Sequence, residues 1–390
     1  MARKKKLRVA VLFGGRSGEH EISLRSALTV IAAMDPARYE IVPIGIARDG
    51  KWALRPDALA ALKAATPRLR ALGRGGIAVS LPPNPGRHSL VELEATNGRI
   101  KPKRRTATPL LPGPLDVIFS LLHGTYGEDG TVQGLLELSG IPYVGAGVLG
   151  SAIGMDKDVQ KRLMRDAGIP VVRYFSLTRT ELEDDPPRPA RMIDELGLPV
   201  FVKPNALGSS IGITRVAQRS ALAAALDDAF QYDRKILIEA SCPGREFECA
   251  VLGNDRPEAS SPGEVVVGGG HAFYSYESKY VDPAGAAVKI PAEIPPRVAM
   301  RIREISVAAF KTLGLRGMAR VDFLARPDLG EIFVNEVNTI PGFTAISMYP
   351  KMWEASGIPL SRLVDRLIEL ALEEHRERAR LKYSYAPVKE

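Results

Sequence analysis

Cysteine, histidine and tryptophan are scarce in this chain of 390 residues, at two, five and two. Each scarcity excludes something. Cys242 and Cys249 are too few for a disulfide framework, and no metal-ligand spacing surrounds them. A reducing compartment follows, and the expected location is the cytoplasm. Long apolar runs are missing too. No window approaches the ~18 apolar residues of a membrane span. The run Val9–Phe13 after the basic N-terminus is far too short for the core of a signal peptide. Two nucleotide signatures are absent as well. The chain has no G-x-x-x-x-G-K-[ST] and no kinase D-F-G, and the glycine segment Gly14–Glu21 between the first strand and helix lacks the dinucleotide G-x-G-x-x-G, which argues against a nicotinamide site there.

What is present is an ordinary globular composition, 45% hydrophobic and 25% charged. The length suggests about two or three domains. Lys and Arg number 53 against 45 Asp and Glu, giving a net charge of +8 and a pI near 9.4. The excess is spread out, with dense basic runs only at Met1–Arg8 and Arg99–Arg105. Neither run has the interleaved aromatics of a single-strand stacking surface. Solvated surface charge therefore explains the excess better than nucleic acid does, and no nucleic-acid or membrane partner is expected.

Leu7–Phe13 reads as a buried strand ending at Gly14-Gly15, and Ser23–Met34 as a helix with Ser23 at its N-cap. Tyr39–Ile46 follows as a strand, completing a βαβ opening with a parallel sheet. Residues 66–113 are rich in Pro, Gly and Arg and read as an elaborated loop or a short-strand insert. Leu115–Leu122 resumes as a strand, Thr131–Ser139 as a helix and Tyr143-Val144 as a short strand. Asp156–Ala167 is a predicted helix, then Val171–Ser176 and Pro199–Lys203 are strands. Ser220–Ala229 is helical and Lys235–Glu239 a strand. Strands dominate from Gly244 (Phe247–Leu252, Glu264–Val267), with helices at Pro296–Leu313 and Leu360–Arg378.

The most informative stretch is Arg320-Val321-Asp322-Phe323 followed by Asn335-Glu336-Val337-Asn338. Asp322 interrupts an apolar strand, and Glu336 and Asn338, two apart, share a strand face. Three hard oxygen donors from neighbouring strands suit Mg²⁺, with phosphate oxygens completing its shell. Arg320 points the same way and can stabilise developing negative charge. An ordinary hairpin with one wet face reads similarly. Lys203, at a strand end, precedes the Gly/Ser segment Gly208-Ser209-Ser210-Ile211-Gly212, whose backbone N–H groups can approach anionic oxygens. Ordinary turns have the same composition. Lys157 is a second phosphate contact or a surface lysine. The strand end at Glu239 can face an adenine ring and Glu246 a ribose. Glu19, in Gly14-Gly15-Arg16-Ser17-Gly18-Glu19, favours a helix dipole or binds a substrate ammonium.

Taken together, these segments resemble the ATP-grasp D-alanine–D-alanine ligase family. The matching text is Phe13–Ser23, His123-Gly124 with Gly127-Glu128-Asp129-Gly130, Met155-Asp156-Lys157, and Lys203-Pro204 with Gly208–Gly212. It continues through Phe273–Tyr280, Arg320-Val321-Asp322 and Asn335–Thr339 to Ser347-Met348. The resemblance spans roughly residues 7–375 in one order. It implies an α/β ATP-grasp fold, α+β in its ATP-binding half. An N-terminal parallel-sheet substrate domain covers 1–145, a central subdomain 146–243, and a C-terminal subdomain 244–390 carries a lid at 271–290.

The resemblance also implies ATP-dependent joining of two D-alanines through a D-alanyl phosphate, for peptidoglycan precursors. ATP and two Mg²⁺ or Mn²⁺ ions are the implied cofactors, and a homodimer the implied assembly. Lys157, Lys203 and Lys279 match lysines facing the triphosphate, with Ser209 and Ser210 in the phosphate loop. Glu239 and Glu246 match the positions beside adenine and ribose, and Asp322, Glu336 and Asn338 the metal ligands. Arg320 and the Gly342 N–H match oxyanion donors. Glu19 matches the holder of the first ammonium, linked through Ser209 to Tyr280. His123 matches a histidine of the first subsite, and Ser347 and Met348 match groups binding the second carboxylate. Ala240 departs from members with lysine against adenine. Lys279-Tyr280 favours D-alanine over D-lactate as second substrate, with D-serine harder to exclude. A different carboxylate–amine ligase on the same fold is the enzymatic rival, and a basic nucleic-acid-binding protein the other.

Overall fold

The computed structural model describes residues 5–54, 76–86, 88–96, 99–102, 113–268 and 286–383. It contains three sheets. The N-terminal sheet has seven strands in the order β6-β5-β4-β3-β2-β1-β7. These are β1 (Leu7–Gly14), β2 (Tyr39–Ile46), β3 (Trp52–Leu54), β4 (Ile77–Ser80), β5 (Val91–Thr96), β6 (Arg99–Pro102) and β7 (Val117–Ser120). β2, β1 and β7 are parallel, as the βαβ pattern requires, whereas β3 to β6 add on antiparallel. The Pro/Gly/Arg-rich segment therefore contributes short strands, each too brief to register as a pattern on its own.

Helix α1 (His20–Ala33) starts earlier than its periodicity suggests. Ser23 is not its cap. The Ser23 hydroxyl is buried inside the helix, accepting from Gly14 N at 2.8 Å and donating to Leu121 O at 2.5 Å. Glu19 occupies the N-cap position without a capping bond, which leaves its carboxylate for other use. Then come α2 (Thr131–Ser139), α3 (Val148–Met155) and α4 (Lys157–Asp166). Asp156 caps α4 by accepting from Val159 N at 2.9 Å. Tyr143 forms only an isolated bridge to Ile118, not a strand.

The central sheet has the order β10-β9-β11-β8, with β8 (Tyr174–Thr178), β9 (Val200–Pro204), β10 (Thr214–Val216) and β11 (Lys235–Ala240). Helices α5 (Arg179–Asp184), α6 (Arg188–Leu196) and α7 (Leu222–Tyr232) accompany it. Val171 lies outside β8 and only bridges to Val334. The third sheet runs β15-β14-β12-β16-β17, with β13 (Glu258–Ala259) on β12. Its other strands are β12 (Arg245–Gly253), β14 (Gly263–Val267), β15 (Ala286–Lys289), β16 (Gly317–Arg326) and β17 (Glu331–Asn338). Helices α8 (Pro296–Thr312), α9 (Met348–Ala355) and α10 (Leu360–Arg378) complete the chain. Of the expected lid at 271–290, residues 271–285 lie outside the described residues, and its last part contains β15, paired with β14.

The N-terminal sheet and the C-terminal helices share one core. Phe13, Leu24, Val117 and Phe119 pack in the same cluster as Tyr349, Trp353, Leu363 and Leu367. Phe119 meets Phe343 edge-on, with ring centroids 6.0 Å apart. The central sheet keeps a core of its own, built on Val200, Val202, Ile236 and Phe230. No helix among the described residues is long and apolar enough to cross a membrane.

Candidate active site between the three sheets

A cavity of about 670 Å³ opens between the central and C-terminal sheets. Lys157, Lys203, Gly208, Ser210, Glu239, Ala240, Glu246, Asp322 and Glu336 all line it. Pairing of β16 with β17 sets Asp322 opposite Glu336 and Arg320 opposite Asn338, with a bulge just after Asp322. The two strands are thus the hairpin that the sequence suggested, and Asp322, Asn335 and Glu336 line this cavity. Asn338 Nδ2 donates to Asp322 Oδ2 at 2.9 Å. Arg320 forks onto Asp322 with two bonds of 2.7 Å and reaches Glu248 at 3.0 Å. Burial opposes the charge on this guanidinium, but Asp322 and Glu248 outweigh it and hold Arg320 firmly protonated.

Among the described residues no group of three His, Cys, Asp or Glu gathers as a metal site. The set here is two carboxylates and an amide, all oxygen donors on one sheet face. That chemistry fits a hard divalent cation that keeps part of its shell for phosphate and water.

Lys157 is not a surface lysine. It is 7% exposed, donates to Leu207 O at 2.7 Å and pairs with Glu336 at 3.4 Å. The start of α4 is docked to the Gly/Ser loop, because Asp158 N donates to Asn205 Oδ1 at 2.9 Å. Lys203 is buried and donates to Glu239 Oε1 at 2.8 Å. In the loop, Ser209 and Ser210 have φ of 55° and 57°, a left-handed pair that costs backbone energy outside glycine. The Ser209 hydroxyl donates to Glu19 Oε1, bridging the central subdomain to the N-terminal one. A Cβ on Gly124, whose φ is 74°, would lie 2.9 Å from Glu19 Oε2 and one on Gly208 3.1 Å from it, so both backbones run close against the carboxylate.

His123 is buried, and both its ring nitrogens have protein partners. Nδ1 donates to Ile340 O at 3.0 Å, so Nε2 accepts from Ser26 Oγ at 3.1 Å. Ser26 Oγ in turn accepts from Phe343 N at 3.2 Å. Burial, the largest influence, lowers the His123 pKa and keeps the ring neutral. The side chain thus ties the 340–343 turn to the N-terminal domain. A Cβ on Gly342 would lie 2.8 Å from Ser347 Oγ, which accepts from Thr344 N at 2.9 Å. Ser347 occupies the N-cap position of α9, and Met348 N opens its first turn. Lys279 and Tyr280 lie outside the described residues.

Two residues with no assigned role emerge. Glu128 accepts from Gly124 N at 2.7 Å and from Ile340 N at 2.9 Å. Burial and then the Glu19 charge push its carboxyl up to about 8. Gln160 accepts from Val337 N at 2.8 Å and donates to Gly154 O at 2.7 Å, covering the outer edge of β17 between Glu336 and Asn338. Glu128 sits in a motif quoted for its resemblance. Gln160, one turn after Lys157, gave no signal.

The profile of the D-ala D-ala ligase N-terminus matches residues 8–146, and that of the C-terminus matches 163–369. A D-alanine–D-alanine ligase A of Chromobacterium violaceum is 46% identical over 372 residues, covering 95% of this chain and 96% of that protein. The solved D-alanine–D-alanine ligase of Coxiella burnetii superposes with a TM-score of 0.80 at 38% identity, covering 96% of both chains. The VanG D-Ala:D-Ser ligase of Enterococcus faecalis gives 0.78 at 35% identity, covering 94% of this chain and 100% of that one.

Proposed function

The chain belongs to the D-alanine–D-alanine ligase family and works as an ATP-dependent ligase of peptidoglycan precursor synthesis, and from that premise we propose how its residues divide the labour. Lys157 and Lys203 face the triphosphate, with the N–H groups of the Ser209-Ser210 loop beside them. Glu239 and Glu246 border adenine and ribose, with Ala240 leaving room where a side chain would otherwise press on the ring. Asp322, Glu336 and Asn338 hold Mg²⁺ or Mn²⁺, two ions in this reading. Bound there, the metal would balance charge on the transferring phosphoryl group.

Glu19 accepts the ammonium of the first D-alanine, and Ser209 orients that carboxylate. Its second oxygen lies against Gly124 and Gly208. Phosphorylation of the first carboxylate gives an acyl phosphate, which the amine of the second D-alanine attacks with loss of phosphate. Arg320 and the Gly342 N–H stabilise the oxyanion of that step. Ser347 and the Met348 N–H hold the second carboxylate at a helix start. His123 and Glu128 set the position of the 340–343 turn rather than reacting.

The observation that carries this reading is the Ser209–Glu19 bond, since it joins the phosphate loop to a substrate carboxylate from a different domain. D-serine as second substrate is the alternative, favoured by the likeness to the VanG D-Ala:D-Ser ligase. Cytoplasmic location suits an enzyme that draws on ATP. A homodimer suits the exposed Leu138 and Leu149 side chains, and light scattering tests it. The decisive assay is phosphate release from Mg-ATP with D-alanine, L-alanine, D-serine or D-lactate, with direct detection of the product. D-alanine-dependent release with D-alanyl-D-alanine formed is expected. Preferential release with D-serine would move the assignment to the alternative.

A further inference from the structure

Behind the wall of the nucleotide cavity lies a third buried lysine. Lys161 is 0% exposed, on α4 one turn after Lys157, and it is not among the cavity-lining residues. Its Nζ pairs with Glu239 Oε2 at 2.9 Å, while Lys203 holds Glu239 Oε1 at 2.8 Å. The Tyr174 ring closes the other side, its centroid 5.8 Å from Nζ. Two cations therefore share one carboxylate in a site closed to solvent, where removing charge from water is costly. A fold that needed only to neutralise Glu239 would do so with Lys203 alone. The second lysine on that carboxylate leaves a surplus of positive charge, and of the two lysines it is Lys203 that lines the cavity, beside Glu239.

We propose that Lys161 is a positioning residue for nucleotide binding: it holds one oxygen of Glu239, so that Lys203 keeps its positive charge for the triphosphate. This rests on the reading of the cavity as the ATP site. The charge states agree with the geometry. Burial alone would raise the Glu239 pKa, but Lys161 and then Lys203 overcome it and hold it low. Burial, the largest influence, lowers the Lys161 pKa, with Glu239 opposing and Lys203 adding to the fall.

The test is direct binding of a fluorescent ATP analogue to the full chain with Mg²⁺, beside D-alanine-dependent phosphate release. Lys161→Met keeps the length of the side chain and removes its charge. It should weaken nucleotide binding about tenfold, as a change of ~1.4 kcal/mol in binding. The rise should fall on KM for ATP, with kcat at saturating ATP and KM for D-alanine little changed. In K161M the Glu239 carboxylate neutralises Lys203. In the Glu239→Gln background, where no carboxylate is left to neutralise Lys203, adding Lys161→Met should cost no further nucleotide affinity, whereas loss of a residue needed only for packing would weaken binding again. Wild-type affinity in K161M, or a further tenfold loss when K161M is added to E239Q, overturns the proposal. If K161M does not fold, the double variant set against E239Q decides alone: equal affinity supports the proposal and a further tenfold loss overturns it. Failure of the unmodified chain to bind the analogue would instead overturn the reading of the ATP site.

Discussion

Glu336 and Glu128 are both carboxylates inside the site, yet their surroundings give them opposite tasks. Glu336 faces the cavity, paired with Lys157 and opposite Asp322 across the hairpin. Glu336→Gln should lower turnover by more than the ~10–100-fold typical of a lost supporting group, and raise the Mg²⁺ concentration needed for half-maximal rate. Unchanged turnover across a Mg²⁺ titration would remove Glu336 from the metal site. Glu128 is sealed in, with its carboxyl pushed up to about 8 by burial and by Glu19. Above the unfolded value of ~4.3 and below about 8, the folded chain binds more protons than the unfolded one. The contribution of Glu128 to stability then falls as pH rises through that window, by up to ~1.4 kcal/mol per pH unit. Glu128→Gln should flatten this fall in melting temperatures measured from pH 5 to 8. Parallel curves for the two proteins would show that Glu128 does not supply the slope.

At the scale of elements, α4 is the part whose role the sequence concealed. Its range was legible, expected over Asp156–Ala167 and found over Lys157–Asp166. Its contacts were not, because Lys157, Gln160 and Lys161 look like the polar side of a surface helix and yet all three are buried. Strand patterns found β16 and β17, and the two-residue spacing of Glu336 and Asn338 placed both on one face. No local pattern could carry Ser209 across to Glu19, since that contact is made by tertiary packing between distant segments. Ser23 misled for a similar reason: a serine before an apolar run reads as a cap, but here the hydroxyl satisfies Gly14 and Leu121 within the core. Gln160→Leu tests α4 as a strut. It leaves Val337 N and Gly154 O without their partner, so denaturant titration should show a loss of ~1–3 kcal/mol. The Mg²⁺ requirement should rise with it. A stable variant with an unchanged requirement would count against that role.

Over the whole molecule, the shared core makes the first and last parts of the chain one cooperative unit. Leu367 on α10 is fully buried in the cluster that contains Phe13 and Val117. Leu367→Ala should cost ~2–5 kcal/mol, and native-state hydrogen exchange should show β1 and β12 losing protection together, while β9 and β11 of the separate central core change less. Loss confined to α10 would contradict a common unit. This arrangement also bears on biosynthesis. The face of β1 and β7 that packs on α10 is translated long before its cover. At ~5–20 residues per second, the wait from Ser120 to Leu367 is on the order of 10–50 s. During that interval Phe13, Val117 and Phe119 await partners still inside or behind the ribosome, so a nascent chain stalled before α9 is the species a chaperone would hold.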